Sequence, residues 1–253
     1  MGLIDVVLPE IKKNLRINSQ SKDFQKIKEA AGVLNLAYLK LSSNEIGYAI
    51  TNNPKKRIAS KYVYLMNVYN RNIREHQVMF LLLNVFESAI RAKAAVLISD
   101  HFSNKPDDWW RDVVTIDKNL VHPVSKAVQQ LHREGVPIGN VNTFTLFDTL
   151  TLGELESMYD NYWSILRCLF LQKPYRSHIL PTIGRKDFAD KIKYLRMARN
   201  DIAHHKPINY SRRSKNTLIH DLELILRHLE FNFEGALNGI DPSNSVTMHL
   251  KYI

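Results

Sequence analysis

The sequence predicts an all-α fold, and three observations carry that prediction. Apolar residues recur at steps of three and four along most of the chain, and alternation over strand length is hard to find. Hydrophobic residues make up 45% and charged residues 24% of the 253 positions, which is typical of a globular protein and excludes a disordered class. Helix-start and helix-stop signals, such as Thr151-Leu-Gly-Glu154 and Lys206-Pro207, bound the periodic segments. We therefore expect a bundle of amphipathic helices.

The longest periodic segment predicts a central helix over residues 71–99. A second helix is expected to begin at Thr151, run through Leu166 and end at Lys173-Pro174. A shorter helix is predicted over residues 123–132. The stripe expected to be buried on the central helix consists of Val78, Leu81, Leu82, Val85, Ala89, Ala92 and Val96. Two further helices are marked by Phe188, Ile192, Leu195 and Ile202, and by Leu218, Leu222, Ile225, Leu229 and Phe233.

Composition changes along the chain suggest three regions. Residues 1–70 are helical in pattern but are interrupted by the turn and basic cluster of residues 52–57. We expect them to form an N-terminal helical extension. Residues 71–235 form the main helical domain in this prediction, and residues 236–253 form a C-terminal tail.

The charge balance and the single cysteine narrow the function classes. Lys and Arg number 35 against 25 Asp and Glu, and a net charge of +10 suits a protein that meets a phosphate backbone. Cys168 alone allows no internal disulfide and no multi-cysteine metal site, which fits a reducing, cytoplasmic compartment. The most apolar run, residues 78–86, is too short to span a membrane. The charge therefore suits a partner with a phosphate backbone or an anionic surface, although simple solubility also explains it. We expect neither a membrane anchor, a cofactor nor a metal.

Arg199 falls on a helix face that otherwise points inward. At about 100° per residue it lies within about 20° of Phe188, on the apolar stripe of its helix. A guanidinium there needs an acidic neighbour or an anionic ligand, because burying it unpaired is costly. Two interpretations follow, a salt bridge to a carboxylate such as Glu87 or Glu154, and a contact to phosphate.

Asn200 and His204 are four residues apart, so the amide is expected to hydrogen-bond and orient the imidazole. Pro207 predicts that the helix ends near His204. An imidazole and a guanidinium suit metal-free RNA cleavage, in which one group removes the 2′-hydroxyl proton, another protonates the leaving oxygen and a cation stabilises the phosphorane. On a regular helix Arg199 and His204 are about 140° and roughly 7.5 Å apart. We therefore expect the helix to unwind between them, or a two-fold dimer to supply a second histidine.

Three segments of this chain resemble the HEPN superfamily, particularly its Abi-like abortive-infection branch. They are Leu195-Arg-Met-Ala-Arg-Asn-Asp-Ile-Ala-His-His-Lys-Pro-Ile208, Val85-Phe-Glu-Ser-Ala-Ile-Arg91, and Thr151-Leu-Gly-Glu-Leu-Glu-Ser-Met-Tyr159. The likeness covers about residues 75–235, with Glu156 and Met158 departing from the apolar pattern of the middle segment. It implies a HEPN-like helical bundle and a metal-independent ribonuclease that acts as a toxin or phage-defence effector.

The resemblance also implies a set of site residues and partners. Arg199, Asn200 and His204 correspond to the catalytic Arg, polar and His positions of the family. Expected partners are an RNA substrate, a second copy of the chain, and an antitoxin protein or regulatory RNA. The RNA contacts are expected from the neighbouring residues His205, Lys206, Arg212 and Arg213.

Competing interpretations remain open at this stage. Arg71-Asn-Ile-Arg-Glu-His76 repeats the Arg-Asn-x-x-x-His pattern, so that spacing alone is a weak signal. His220-Asp221 hints at a metal phosphohydrolase of the HD type, although a solvated first helical turn explains this pair more simply. The basic chain could also be a module that binds RNA or a toxin partner without cutting. Tyr62, Tyr64 and Tyr69 would then stack on bases, unless they belong to the core.

Overall fold

The computed structural model describes residues 2–55, 57–102, 109–111, 117–207 and 212–232, with the side chains of Arg212 and Arg213 left out. Helices dominate these residues, as the sequence predicts, and one short β-hairpin joins them. The helices are α1 (Leu3–Leu15), α2 (Lys22–Ala31), α3 (Leu36–Asn52), α4 (Lys61–Phe102), α5 (Lys118–Arg133), α6 (Thr143–Asp148), α7 (Leu152–Asn161), α8 (Trp163–Leu166), α9 (Arg185–Ala203) and α10 (Arg212–His228). Two 3₁₀ turns, Ile138–Asn140 and Arg167–Phe170, and the strands β1 (Lys173–Tyr175) and β2 (His178–Leu180) complete the list.

The chain divides into two compact units. Unit 1 comprises residues 1–81 and 200–211, and unit 2 comprises residues 82–199 and 212–253. The expected boundary at residue 70 therefore falls inside α4. Residues 200–207, which carry the predicted His204, belong with the N-terminal residues in unit 1.

Unit 1 is built around helices that begin at polar caps. The Ser21 hydroxyl accepts a hydrogen bond from Phe24 N at the start of α2, and the Asn35 side chain accepts from two backbone amides at the start of α3. Tyr62 and Tyr64 pack partly buried against the core and Tyr69 is buried, as the core interpretation of these tyrosines predicts. The core contains Ile11, Leu15, Ile27, Leu39, Ile46 and Leu65, all fully buried.

Unit 2 has an aromatic core. The ring centroids of Phe170 and Phe188 lie 4.5 Å apart, and Trp163 stacks on Phe170 at 5.7 Å. The buried Tyr159 hydroxyl donates a 2.8 Å hydrogen bond to the Ile90 carbonyl, so its polar atom is satisfied inside the core. These contacts join the hairpin region and α9 to the second half of α4.

The buried face of α4 differs from the predicted stripe. Of the seven predicted positions only Leu82 is buried, and Leu81 and Val96 are 40% and 43% exposed. The helix is apolar on several faces, so periodicity alone does not identify the face that packing selects. The buried face in unit 2 consists of Leu82, Leu83, Phe86, Ile90, Ala94, Ala95 and Ile98.

The segment after Thr151 is shorter and less regular than predicted. The predicted start is confirmed, because Thr151 N donates to Glu154 Oε2 at 2.7 Å and Glu154 N donates back to the Thr151 hydroxyl. However, α7 ends at Asn161, and Lys173 and Pro174 form a β-strand instead of a helix end. Strands of three residues are too short to produce a visible alternation, which is why the sequence pattern missed the hairpin.

The last two helices follow the predicted patterns. Phe188, Ile192, Leu195 and Ile202 are all buried on α9, which ends at Ala203 next to the predicted end. Leu218, Leu222, Ile225 and Leu229 are buried along and just after α10. Phe233 and the predicted C-terminal tail lie outside the described residues.

Candidate functional site

Arg199 is bound to a buried carboxylate in unit 2. Its Nε donates to Glu87 Oε2 at 2.8 Å, and Arg91 Nη2 donates to Glu87 Oε1 at 2.8 Å, so one carboxylate holds two guanidiniums. The Glu87 side chain is only 8% exposed, whereas that of Arg199 is 36% exposed. The salt-bridge interpretation of Arg199 is therefore the one observed, with Glu87 rather than Glu154 as the partner. Glu154 pairs instead with Lys126 at 2.6 Å.

The Glu87–Arg91 pair differs from the sequence expectation in its burial. From the sequence, Glu87 and Arg91 are four residues apart with the acid first, a helical ion pair that contributes little when exposed, but here the side chains are 8% and 17% exposed. A buried charge must be paired and hydrogen-bonded, and Arg91 Nη2 also donates to the Leu150 carbonyl at 3.0 Å. Arg91 Nε is buried without a hydrogen-bond partner among the described residues.

The three sequence segments that carry the family resemblance meet in unit 2. Glu87 and Arg91 come from the first segment, and Arg199 from the last. The middle segment is held by Arg196, whose Nε donates to Glu156 Oε2 at 2.5 Å, and Arg91 donates to the carbonyl of Leu150, the residue just before this segment. Glu156, which departs from the family pattern, thus has a structural task as the carboxylate that fixes α9.

Asn200 and His204 lie at the end of α9, in the part of the chain that belongs to unit 1. Both residues are exposed, and His204 N donates to the Asn200 carbonyl at 3.1 Å. Among the described residues, no side-chain hydrogen bond joins the amide to the imidazole, so the expected orientation of His204 by Asn200 is not seen.

The turn after α9 closes with a histidine in the left-handed conformation. His205 N donates to Ile202 O and Lys206 N to Asp201 O, each at 2.9 Å, which is the bond pattern of a Schellman motif. The left-handed position of this motif is usually glycine, but here His205 has φ 53°. A side chain at this φ costs free energy, because its Cβ crowds the following carbonyl.

The His205 ring stacks on a second histidine of unit 1. The ring centroids of His205 and His76 are 5.8 Å apart with an interplanar angle of 29°. His76 is buried, and its Nδ1 lies 2.5 Å from the Tyr38 hydroxyl, which also donates to the Lys206 carbonyl at 3.2 Å. Tyr38, His76, His205 and the Lys206 carbonyl form what we call the histidine cluster.

Burial changes the protonation of the histidine cluster. The pKa of His76 is lowered from its usual value, first by burial and second by the charge of His205. Burial, with a smaller contribution from Tyr69, raises the pKa of Tyr38 to about 12. Both residues are therefore neutral near pH 7. The imidazole of the cluster that is exposed to solvent is that of His205.

The metal phosphohydrolase alternative finds no support at His220-Asp221. Asp221 is buried and accepts a 2.6 Å salt bridge from Lys191, while His220 is exposed. Both residues lie inside α10 and not in a solvated first turn as expected. Within the described ranges, no three His, Cys, Asp or Glu residues lie close enough together to hold a metal ion.

The remaining predicted contacts divide into two groups. Lys206 and His205 are exposed, and Lys206 Nζ lies 3.5 Å from Asp201 Oδ1. The side chains of Arg212 and Arg213 lie outside the described part of the chain. No described helix carries an apolar stretch long enough to cross a bilayer.

Sequence reasoning missed Tyr38 and His76 as members of a site. The signal for His76 is the repeat Arg71-Asn-Ile-Arg-Glu-His76, whose contribution the sequence leaves open. In unit 1 the Arg71 guanidinium and the Asn72 amide both pair with Glu45, so they stabilise the packing of α3 on α4. Only the histidine of that repeat reaches the cluster.

The comparisons with known proteins add no relative to this picture. The chain matches no protein-family model, no curated protein and no solved structure.

Proposed function

We propose that this protein is a metal-independent endoribonuclease of the HEPN, Abi-like type, with a HEPN-like helical bundle. The observation that carries the proposal is that Arg199 is bound to a carboxylate and is still partly exposed. Buried Glu87 holds its guanidinium through Nε, yet the side chain stays 36% exposed. A guanidinium has further N–H donors in a rigid fork, so a carboxylate on Nε fixes the group while leaving donors for a phosphate.

The proposed reaction assigns a role to each residue. A base removes the ribose 2′-hydroxyl proton, the O2′–P bond forms, and the P–O5′ bond breaks as an acid protonates the leaving oxygen. His204, exposed at the end of α9, serves in proton transfer. Arg199 neutralises the charge that develops on the phosphorane oxygens. Asn200, also exposed, contacts the RNA beside them.

The biological role proposed is that of a toxin or anti-phage defence effector in the cytoplasm. The net charge of +10 attracts RNA and supports the RNA contacts assigned to His205, Lys206, Arg212 and Arg213. The protein acts as a homodimer in this proposal, and an antitoxin protein or regulatory RNA restrains it. These assignments rest on the resemblance of the three segments.

A second candidate function is a basic helical module that binds RNA, or a toxin partner, without cutting it. The observation that favours it is the same Glu87 contact, because a buried carboxylate that pairs with Arg199 also explains the arginine as a structural residue. The two candidates predict different results for RNA incubated with the protein.

An RNA cleavage assay separates the candidates. Purified protein with excess chelator is incubated with labelled single-stranded RNA and with DNA of the same sequence. We expect RNA fragments that end in a 2′,3′-cyclic phosphate or 3′-phosphate, and intact DNA, because DNA lacks the attacking hydroxyl. His204→Ala and Arg199→Gln are each expected to lower the rate about a hundredfold or more.

The matched control is His132→Ala, which removes an exposed histidine of α5. It should cleave RNA at the wild-type rate. Binding of RNA by wild-type protein without any cleavage would establish the second candidate. Fragments with 5′-phosphate ends, or activity that requires a metal ion, would contradict the proposed chemistry.

A further inference from the structure

The histidine cluster holds His205 in a backbone conformation that costs free energy. At φ 53° the position favours glycine, yet it carries an imidazole whose ring lies on His76. Strained residues persist where surrounding structure holds them, and they concentrate at functional sites. The surroundings that hold His205 are the Schellman hydrogen bonds of its own turn and the buried ring of His76.

The hydrogen bonds of the cluster select one tautomer of His76. The Lys206 carbonyl can only accept, so it uses the single hydroxyl proton of Tyr38 at 3.2 Å. The Tyr38 oxygen, 2.5 Å from His76 Nδ1, then accepts a hydrogen bond from the N–H of that nitrogen. His76 is thereby fixed as the neutral Nδ1–H form, and Tyr38 links it to the backbone beside His205.

Charge favours a neutral His76 in this cluster. Two stacked imidazoles repel each other if both are protonated, and burial lowers the pKa of His76. The His205 side chain is exposed. The nearby charges of the turn, Lys206 and Asp201, lie 3.5 Å apart and largely offset each other. Tyr38 of α3 and His76 of α4 contact the turn, and Tyr69 of α4 acts on Tyr38.

We propose that His205 is a second proton-transfer residue for RNA cleavage, and that His76 and Tyr38 are its positioning residues. The inference rests on the proposed function. It gives a single chain two exposed imidazoles at consecutive positions, 204 and 205, whereas the sequence argument took the second histidine from a dimer partner.

The step that His205 performs is a simple proton transfer. As an imidazolium it donates its proton to the leaving O5′ while the P–O5′ bond breaks, and it is left neutral. The proton taken from the 2′-hydroxyl resides on the base, and exchange with water restores both groups. No oxidant, reductant or metal takes part.

The decisive variant is His205→Gly, assayed with and without added imidazole. Glycine suits the left-handed turn, so we expect a folded protein whose kcat falls about a hundredfold. Free imidazole entering the vacated space is expected to restore part of the rate, which a merely structural role would not allow. The control is Arg16→Gly, because Arg16 is a second left-handed residue at the end of a helix in unit 1. His132 would be a poor control here, because glycine at a position inside a helix would itself be destabilising.

The positioning residues are tested by a spectroscopic signature. Nitrogen-15 NMR of wild-type protein should show His76 as the Nδ1–H tautomer, and Tyr38→Phe should shift it toward the Nε2–H form. The same variant should lower kcat about tenfold by releasing the turn. An unchanged tautomer in Tyr38→Phe would overturn the positioning role.

The experiments distinguish a failure of this inference from a failure of the proposed function. Wild-type protein that cleaves no RNA defeats the proposed function and this inference together. Suppose instead that wild-type protein cleaves RNA, but that His205→Gly cleaves equally well or is not rescued by imidazole. Then only the role assigned to His205 is wrong, and the proposed function stands.

Discussion

The two polar clusters of this molecule hold their side chains by different physical means. In unit 2, the Glu87 carboxylate forms ion pairs with the guanidiniums of both Arg91 and Arg199. In unit 1, Tyr38 and His76 are neutral near pH 7, and they support His205, which is exposed. The charged cluster fixes a guanidinium by ion pairing, whereas the histidine cluster places neutral buried side chains beside an exposed imidazole.

The largest effect should come from breaking the charged cluster. Glu87→Gln leaves two guanidiniums without their carboxylate, and we expect the free energy of unfolding to fall by about 3 kcal/mol in urea denaturation. Arg91 should account for most of the loss, because it is less exposed than Arg199 and less able to turn toward water. The control is Glu223→Gln, which removes a more exposed carboxylate paired with Arg227 and should cost about 0.5 kcal/mol. Equal losses in the two variants would contradict the distinction between the clusters.

The histidine cluster should make the free energy of unfolding depend on pH. The pKa of His76 in the folded protein lies below its ordinary value of 6.5, so the unfolded chain binds more protons as pH falls. Stability is therefore fully present above about pH 6.5 and declines below it, with a slope of at most about 1.4 kcal/mol per pH unit from this residue. His76→Phe keeps a ring in the stack and should flatten the decline between pH 6.5 and 5.

Two features sharpen that measurement. His228 in unit 2 also has a pKa lowered first by burial, so part of the decline should remain in His76→Phe. His132→Gln, at an exposed position, should leave the profile unchanged. A His76→Phe profile identical to wild type would show that His76 takes up protons equally well in the folded and unfolded chain.

The smallest effect expected concerns strain at the end of α9. His205→Gly relieves the left-handed conformation and should raise the free energy of unfolding by about 1 kcal/mol, measured by urea denaturation. Arg16→Gly should give a similar gain, since Arg16 has φ 49° in the same kind of motif. A gain at Arg16 with a large loss at His205 would mean that the stack on His76 contributes more than the strain costs.

The accuracy of the sequence predictions depends on the distance over which the controlling interaction acts. The start of α7 at Thr151 and the end of α9 before His204 were predictable, because caps and prolines act within one turn. The ion pair between Glu87 and Arg91 was also visible as a four-residue spacing, although its burial was not. Errors arose where packing had to choose among apolar faces, as on α4.

Local sequence alone determined the helical class, the start of α7, the end of α9 and the polar character of the segment from Arg199 to Lys206. Tertiary structure decided that Arg199 binds Glu87, 112 residues away, and that Tyr38 reaches His76 and the Lys206 carbonyl. The physical reason is the distance along the chain over which each interaction acts. Helix propensity, capping and side-chain periodicity are set by neighbours within a few residues, whereas the partner of a distant charge or ring depends on how whole helices pack.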